Sequence, residues 1–393
     1  MDLPTRSWTW EQVSRRRLRR HGLATGSAFA SVADAAGAIC GAHAQVLSAG
    51  ELSLGLRVAA VTQTDVQDAV WRARTLVKTL GPRGTVHLLP LAELPMWTGA
   101  LSATPIVTPS QFPDGVRLAP AQVDAVVDAI GGSLADAELT VDELTEAVVE
   151  RAGAWAGELV MPAFQGMWPR WRQVTAVAAF RGVLCFGPNR GRKVTYTNPH
   201  RWLPGLRPEP DALPHLLRRY LHAYGPATPR EFARWMAAPP AWGTELFGSL
   251  GTDLVEVALE GRPAYLWAGD EDLGDAAGEQ PPEALAGVRL LPYFDAFAVG
   301  CYPRDLLFPG RAGERALAGS QAGNYPVLLV DGTVGGVWHQ RRAGRAIEVT
   351  VEPLGRLDAR RKAALAEQVE RIGAFFGRPV RHTIGTVTVG PHA

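Results

Sequence analysis

Apolar positions in this chain recur at intervals of three and four over long stretches and at intervals of two over short ones, the pattern of helices punctuated by β-hairpins. The same order is expected three times: two or three short helices, one of them opening on a Thr or Ser cap, then a hairpin. In the first unit, 10–20 and 31–42 read as helices. Thr62 caps a third over 62–80, with Val66, Ala69, Val70, Ala73, Leu76 and Val77 on one face. Gly81-Pro82-Arg83-Gly84 stops that helix, and 85–89 alternates as a short strand. In the second unit, 121–130, the Thr140-capped run LTVDELTEAVVERAG and 170–180 are helical. The hairpin GVLCFGPNRGRKVTYT comes next, turning at 188–191. In the third, 214–224 is helical, Thr228-Pro229 caps PREFARWMA with proline at the first helical position, 241–250 continues it, and strands at 254–257 and 264–267 close the unit.

Helix, capped helix and β-wing are the parts of a winged helix-turn-helix, a module that serves either nucleic-acid or protein binding. From 287 onward the texture changes to VRLLPYFDAFAVG, then YPVLLVDGTVGGVWHQRRAGRAIEVTVEPLG, a helix over 357–376 and a last strand, VRHTIGTVTV. Asp331-Gly332 is a hairpin turn signal between two of these strands. The expected fold is α+β: three tandem winged-helix units at 1–110, 111–208 and 209–286, and a small β-barrel-like module at 287–393.

At 393 residues the chain exceeds one ordinary hydrophobic core, which agrees with several domains. No run approaches the roughly 18 to 20 apolar residues of a membrane span, and the basic start lacks a following apolar signal region, so no membrane association and a cytoplasmic location are expected. Cys40, Cys185 and Cys301 are widely separated and read as buried free thiols. Metals and nucleotide cofactors are not expected, because no HExxH, GxSxG, Walker or GxGxxG motif stands in a suitable context. Net charge is only +1, which alone argues against a nucleic-acid partner. Its distribution changes that picture. Lysine occurs only at Lys78, Lys193 and Lys362; arginines cluster at 15–20, 170–172, 190–192 and 341–342, and acidic residues gather at 270–283, so one face is basic on a neutral whole. A high-GC genome also favours arginine over lysine without any function.

The candidate chemistry lies in Gly41-Ala42-His43-Ala44-Gln45, where an Ala-rich run ends in an imidazole and a carboxamide. At i and i+2 the two side chains diverge on a helix but share a face in extended chain, so their cooperation requires the helix to end or distort at about Ala42. Otherwise His43 satisfies a nearby backbone group and Gln45 begins a solvated loop.

Several strings, in this order, resemble the bacterial AlkZ-type winged-helix DNA glycosylases: GAHAQ followed by LSLGLRV, then LVKTLGPRGTVHLLP, FRGVLCFGPNRG, LPYFDAF and YPVLLVDGTVGGVW. The resemblance covers nearly the whole chain. It implies a C-shaped cradle of three winged helices and a β-barrel around duplex DNA. It also implies hydrolysis of the N-glycosidic bond of bulky N3- or N7-alkylated purines, with crosslink unhooking or self-resistance to a DNA-alkylating natural product in some branches. The family's Gln-x-Gln signature falls on His43 and Gln45, a His-x-Gln variation. An alkylated purine already carries positive charge and leaves without protonation, so the remaining task is to place water at C1′. The Gln45 carboxamide oxygen would orient that water, and a neutral His43 would accept its hydrogen bond or proton.

Asp295 in PYFDAF is a further catalytic candidate, as an electrostatic support for the sugar cation, or else the cap of a turn. Candidate DNA contacts are Arg83 and His87 on the first wing, Arg170 and Arg172, Arg190, Arg192 and Lys193 at a hairpin tip, and Arg341 and Arg342 at another turn. Trp168 and Trp171 are either base-stacking groups or core anchors, and Lys78 is the cationic end of its helix. The resulting expectation is a monomeric, cofactor-free DNA glycosylase acting on double-stranded DNA that carries alkylated purines. The alternatives are a non-catalytic winged-helix regulator or damage binder, and a scaffold for protein partners.

Overall fold

Strand β1 (Arg6–Trp8) leads into α1 (Trp10–Arg20), whose entry is fixed by a reciprocal capping box: Gln12 N–H donates to Thr9 Oγ1 and Thr9 N–H to Gln12 Oε1. The basic run of α1 points largely inward. Arg16 ion-pairs with Asp270, and Arg17 donates to the carbonyls of Pro226 and Tyr302 at 2.9 and 2.5 Å, so these arginines hold the fold together instead of forming the expected basic surface. The computed structural model describes residues 6–105, 115–163, 166–270 and 287–390. It divides into two units: Met1–Ala69 with Leu217–Trp235 and Pro240–Ala393, and Val70–Leu216 with Met236–Pro239.

After α1 come α2 (Val32–Ala38), β2 (Ala42–His43), α3 (Leu47–Gly55) and α4 (Gln63–Trp71). Two expectations are corrected here. The helix expected over 31–42 stops at Ala38, because Cys40 and Gly41 take left-handed backbone conformations with φ of 54° and 92°. The helix expected over 62–80 stops at Trp71; Arg74 has φ 55°, and the chain then extends into β3 (Leu76–Leu80), paired antiparallel with β4 (Val86–Pro90). Leu76 and Val77 satisfied the helical spacing by accident; β-branched Thr75, Val77 and Thr79 suit an extended chain better.

In the second unit, α5 (Leu94–Ala103) and α6 (Pro120–Leu134) precede β5 (Glu138–Thr140) and α7 (Val141–Ala152). Thr140 caps α7 as expected, and Glu143 completes a reciprocal capping box with it. A hairpin of β6 (Leu159–Ala163) and β7 (Gly166–Pro169) leads through a 3-10 turn to α8 (Thr175–Phe180). β8 (Cys185–Arg190) and β9 (Lys193–Thr197) then pair antiparallel, and β9 also pairs with β5. Gly191, at φ 62°, makes the turn at the far end of the expected segment 188–191. Ile130, Leu144, Trp171, Ala178 and Leu184, all fully buried, form the core beneath that sheet.

Back in the first unit, α9 (Ala212–Tyr224), α10 (Pro229–Met236) and α11 (Pro240–Leu250) are followed by the hairpin β10 (Leu254–Leu259) and β11 (Arg262–Trp267). β1 adds to β10 in parallel, closing Trp8 and Val13 over Val257 and Leu266. The last segment holds β12 (Val288–Leu291), α12 (Ala296–Gly300), α13 (Arg304–Leu307), α14 (Arg311–Ala316), β13 (Val327–Val330), β14 (Thr333–Ala343), β15 (Ala346–Pro353), α15 (Ala359–Phe376) and β16 (Val380–Ile384). Asp331-Gly332, with φ of 49° and 83°, forms the two-residue turn expected between β13 and β14.

The barrel is corrected. β12 to β16 form one open sheet in sequence order, antiparallel except for the last pair, and among the described residues its two edges do not pair. Helix α15 packs against both β12 and β16. Its buried Leu365, Val369, Ile372 and Phe375 take up the interior volume that closure of a small barrel would fill with strand side chains.

Candidate active site

The left-handed pair Cys40 and Gly41 turns the chain out of α2 into the two-residue strand that carries His43. His43 is buried, and its ring lies against Phe294 with centroids 4.5 Å apart and planes tilted by 38°. Gln45 is exposed, just before α3 begins at Leu47. The carboxamide thus stands in solvent while the imidazole two residues earlier is set into the protein. Gly50 of α3 permits this arrangement: a Cβ there would come within 2.8 Å of the His43 carbonyl oxygen and 3.0 Å of the Ala44 Cβ.

Phe294 is itself held from below. It has φ 55°, and its N–H donates to the Gly323 carbonyl at 3.0 Å. The next residue, Asp295, is fully enclosed: Arg57 donates to both carboxylate oxygens at 2.8 Å, Ser53 Oγ donates at 2.7 Å and the Phe297 N–H at 3.0 Å. Burial alone would push this carboxyl up, but the Arg57 charge and these donors outweigh burial and hold it below the usual carboxylate range. Asp295 therefore caps α12 and ties α3 to it through Ser53, the turn-capping alternative among the readings of this residue.

Around this pair lie groups that sequence reasoning passed over. Glu51 is buried on α3 and accepts from Gln63 Nε2 at 2.6 Å and Gln67 Nε2 at 3.2 Å, tying α3 to α4. Tyr224 Oη donates to the Ile39 carbonyl at 2.6 Å, pinning the end of α2 immediately before the left-handed turn. His21 is fully buried between Tyr224 and Phe297; burial, with the Arg57 charge adding, pulls its imidazole down to about 3. Phe294, Ser53 and Arg57 were visible only as members of apolar strings, and nothing in their spacing marks them.

The candidate DNA contacts separate into two groups. His87 is buried inside the first hairpin, bonded through Nδ1 to the Thr85 carbonyl oxygen at 2.8 Å and packed under Gly81, so it is not a surface contact. Arg170 is a clamp: it donates to the carbonyls of Gly115 and Val116, both at 2.8 Å, and ion-pairs with Glu158 at 2.6 Å. Lys78, on β3 and not on a helix, lies over the Phe186 ring at 4.6 Å. Trp171 is core, its indole N–H donating to Thr145 Oγ1, whereas Trp168 is exposed with Arg172 stacked 3.9 Å from its ring centroid. Arg83, half-buried, occupies the tip of the first hairpin with φ 63°. At the next tip, exposed Arg190 and Lys193 pair with Glu143 and Asp142 at 2.8 Å, while Arg192 is exposed and makes no ion pair among the described residues. Arg341 and Arg342 end β14 on the solvent side, Arg341 paired with Glu348, and together with Ser48 and Gln63 they line a cavity of about 270 Å³. That cavity touches the first turn of α3, three residues beyond Gln45. The three cysteines are buried and unoxidised, and burial pushes the Cys301 thiol up to about 11, away from nucleophilic use.

A family model for AlkZ-like DNA glycosylases matches residues 36–375. The chain belongs to the AlkZ-like DNA glycosylase family. This AlkZ-like glycosylase is 35% identical over 341 residues to the interstrand DNA cross-link repair glycosylase of Streptomyces sahachiroi, a match that spans 84% of the chain and 87% of the relative. Its fold is similar to the solved structure of the DNA glycosylase AlkZ from the same organism, with a TM-score of 0.76 at 29% identity, covering 95% of this chain and 99% of that one. As a member of this family it is an enzyme that acts on DNA. Among the described residues, no helix of the AlkZ-like protein is long and apolar enough to cross a membrane.

Proposed function

We propose that this DNA glycosylase hydrolyses the N-glycosidic bond of N7- or N3-alkylated purines in duplex DNA, including interstrand crosslinks, and that His43 and Gln45 position the attacking water. The observation that carries the reading is the break at Cys40-Gly41: it takes a helix-period sequence out of the helix and leaves a buried imidazole on a two-residue strand and an exposed carboxamide on the bend that follows it. Such a pair suits a leaving group that brings its own charge. The cationic base departs without a general acid, the Gln45 carbonyl oxygen accepts from the water, and the His43 imidazole, held against Phe294, receives its proton as the bond to C1′ forms. The 35% identical relative is an interstrand DNA cross-link repair glycosylase, which supports extending the substrate range to crosslinks.

We read α6, β5, α7, α8, β8 and β9 as one winged helix, and α9, α10, α11, β10 and β11 as another. In each, two or three helices precede a hairpin whose second strand also pairs with a segment between the first two helices: β5 in one, an isolated bridge from Ala227 to Tyr265 in the other. The run α2, β2, α3, α4, β3 and β4 has the same order along the chain. On this reading β2 is the short strand between the first two helices, and the hairpin tips bearing Arg83 and Arg192 meet phosphates. The exposed Arg341 and Arg342 meet the duplex near the lesion.

Incubation with a duplex containing N7-alkylguanine, followed by alkali, should give strand breaks at the released base. Gln45→Ala should lower base release by about 100-fold or more while leaving duplex affinity within a few fold, in the range expected for loss of a group that acts on the attacking water. Undiminished release by the His43→Ala, Gln45→Ala double variant would refute the assignment.

A further inference from the structure

On the first unit, away from His43 and Gln45, an open cleft of about 820 Å³ lies between the loop 22–28, the loop 56–62, β12 and α15. Its size is that of a small-molecule or nucleotide subsite. Part of its lining is small and apolar, with Ala59, Ala363 and Ala364 leaving the space open. Among the described residues its charge is unbalanced: Arg289, Arg360 and Arg371 line it against a single carboxylate, Glu367. Arg289 and Arg371 are both anchored by backbone carbonyls. Arg289 Nε donates to the Leu23 carbonyl at 2.6 Å and Nη1 to that of Val288 at 2.9 Å, and Arg371 Nη2 donates to the Leu56 carbonyl at 2.8 Å. Neither forms an ion pair among the described residues. Burial and, for Arg289, the nearby Arg371 charge make their protonated forms less favourable than usual. Two guanidiniums lining one open cleft, each held in place by neutral carbonyl oxygens, form an arrangement that an anion stabilises.

We propose that this cleft is a phosphate-binding site, with Arg289 and Arg371 as its anchored donors and the exposed Arg360 as a third. Guanidinium groups oriented by carbonyls present their remaining N–H groups as a fork, the geometry that phosphate oxygens accept. The phosphate belongs either to the backbone of bound duplex, where the cleft would extend the DNA footprint beyond the hydrolytic site, or to a free phosphorylated small molecule.

The test uses the full chain and two variants. Arg371→Glu sets a carboxylate opposite Arg289, so it should leave the melting temperature unchanged or raise it while abolishing anion binding. Arg371→Gln keeps a donor for the Leu56 carbonyl and serves if the first variant is unstable. With inorganic pyrophosphate at about 100 times its Kd, the wild type should gain the melting-temperature rise that saturating ligand gives, and both variants should lose it. On a short undamaged duplex, the variants should bind more weakly with a log–log salt slope shallower by about 1 to 2 if the phosphate is the DNA's. An unchanged slope with loss of the pyrophosphate shift assigns the site to a free phosphorylated ligand. Identical pyrophosphate response and identical salt slope in wild type and variants would overturn the proposal.

Discussion

His43 keeps its position because four neighbours leave it no other. Cys40 and Gly41 break the helix, Gly50 lets α3 pass within contact of its carbonyl, and Phe294 covers its ring. Gly50 is the most exacting of these, since an added Cβ meets backbone and not a flexible side-chain end. Gly50→Ala should therefore push β2 away from α3, costing about 1 to 3 kcal/mol of stability and lowering kcat for base release more than it weakens duplex binding. Denaturant unfolding together with single-turnover base release separates these effects, and a variant with wild-type values in both would show that the contact is relaxed in solution. At this scale the sequence singled out His43 and Gln45, because an imidazole and a carboxamide are conspicuous at the end of an Ala-rich run. It did not disclose that Asp295 is enclosed, because an acid beside aromatic residues reads alike whether it faces solvent or a buried arginine.

Between elements, the Arg57–Asp295 pair, with Ser53 beside it, fastens the C-terminal end of α3 and the residues just after it to the N-cap of α12, next to Phe294. Removing one partner leaves the other charge buried and unpaired. Asp295→Asn should cost about 3 to 5 kcal/mol, whereas Arg57→Met with Asp295→Leu should recover a large part of that loss, since an apolar pair needs no desolvated charge. Equal destabilisation of the single and double variants, measured by urea unfolding, would show that packing and not charge holds the elements together. Caps and turns are the elements most legible in the sequence: Thr140, Thr62 and Asp331-Gly332 all stand where their local chemistry places them, and Glu143 and Asp65 complete the two caps. The run 62–80 reads as one helix because period 3.6 and period 2 both fit Leu76 and Val77, and the antiparallel partner Val86–Pro90 decides for the strand.

For the molecule as a whole, acid stability is expected to depend on His21. Its folded pKa of about 3 lies below the ordinary 6.5, so between these values the unfolded chain binds a proton that the folded chain excludes. Stability should then fall as pH drops through that window. His21→Gln should flatten the melting-temperature profile between about pH 6.5 and 4, a range above the titration of Asp295, whose carboxyl is held below its usual range. Parallel profiles for the two proteins would assign the acid sensitivity elsewhere. The sequence by itself determined the mixed helix-and-hairpin order, the caps, the tight turns and the two polar groups of GAHAQ, because each is fixed by residues a few positions apart. Tertiary structure decided the rest: that the last sheet stays open with α15 across its edges, that Arg16, Arg17 and Arg170 hold the fold together, and that His43 is buried while Gln45 is not. Those outcomes depend on which distant carbonyl, carboxylate or apolar face each side chain meets, and burial makes such meetings worth more than any local preference.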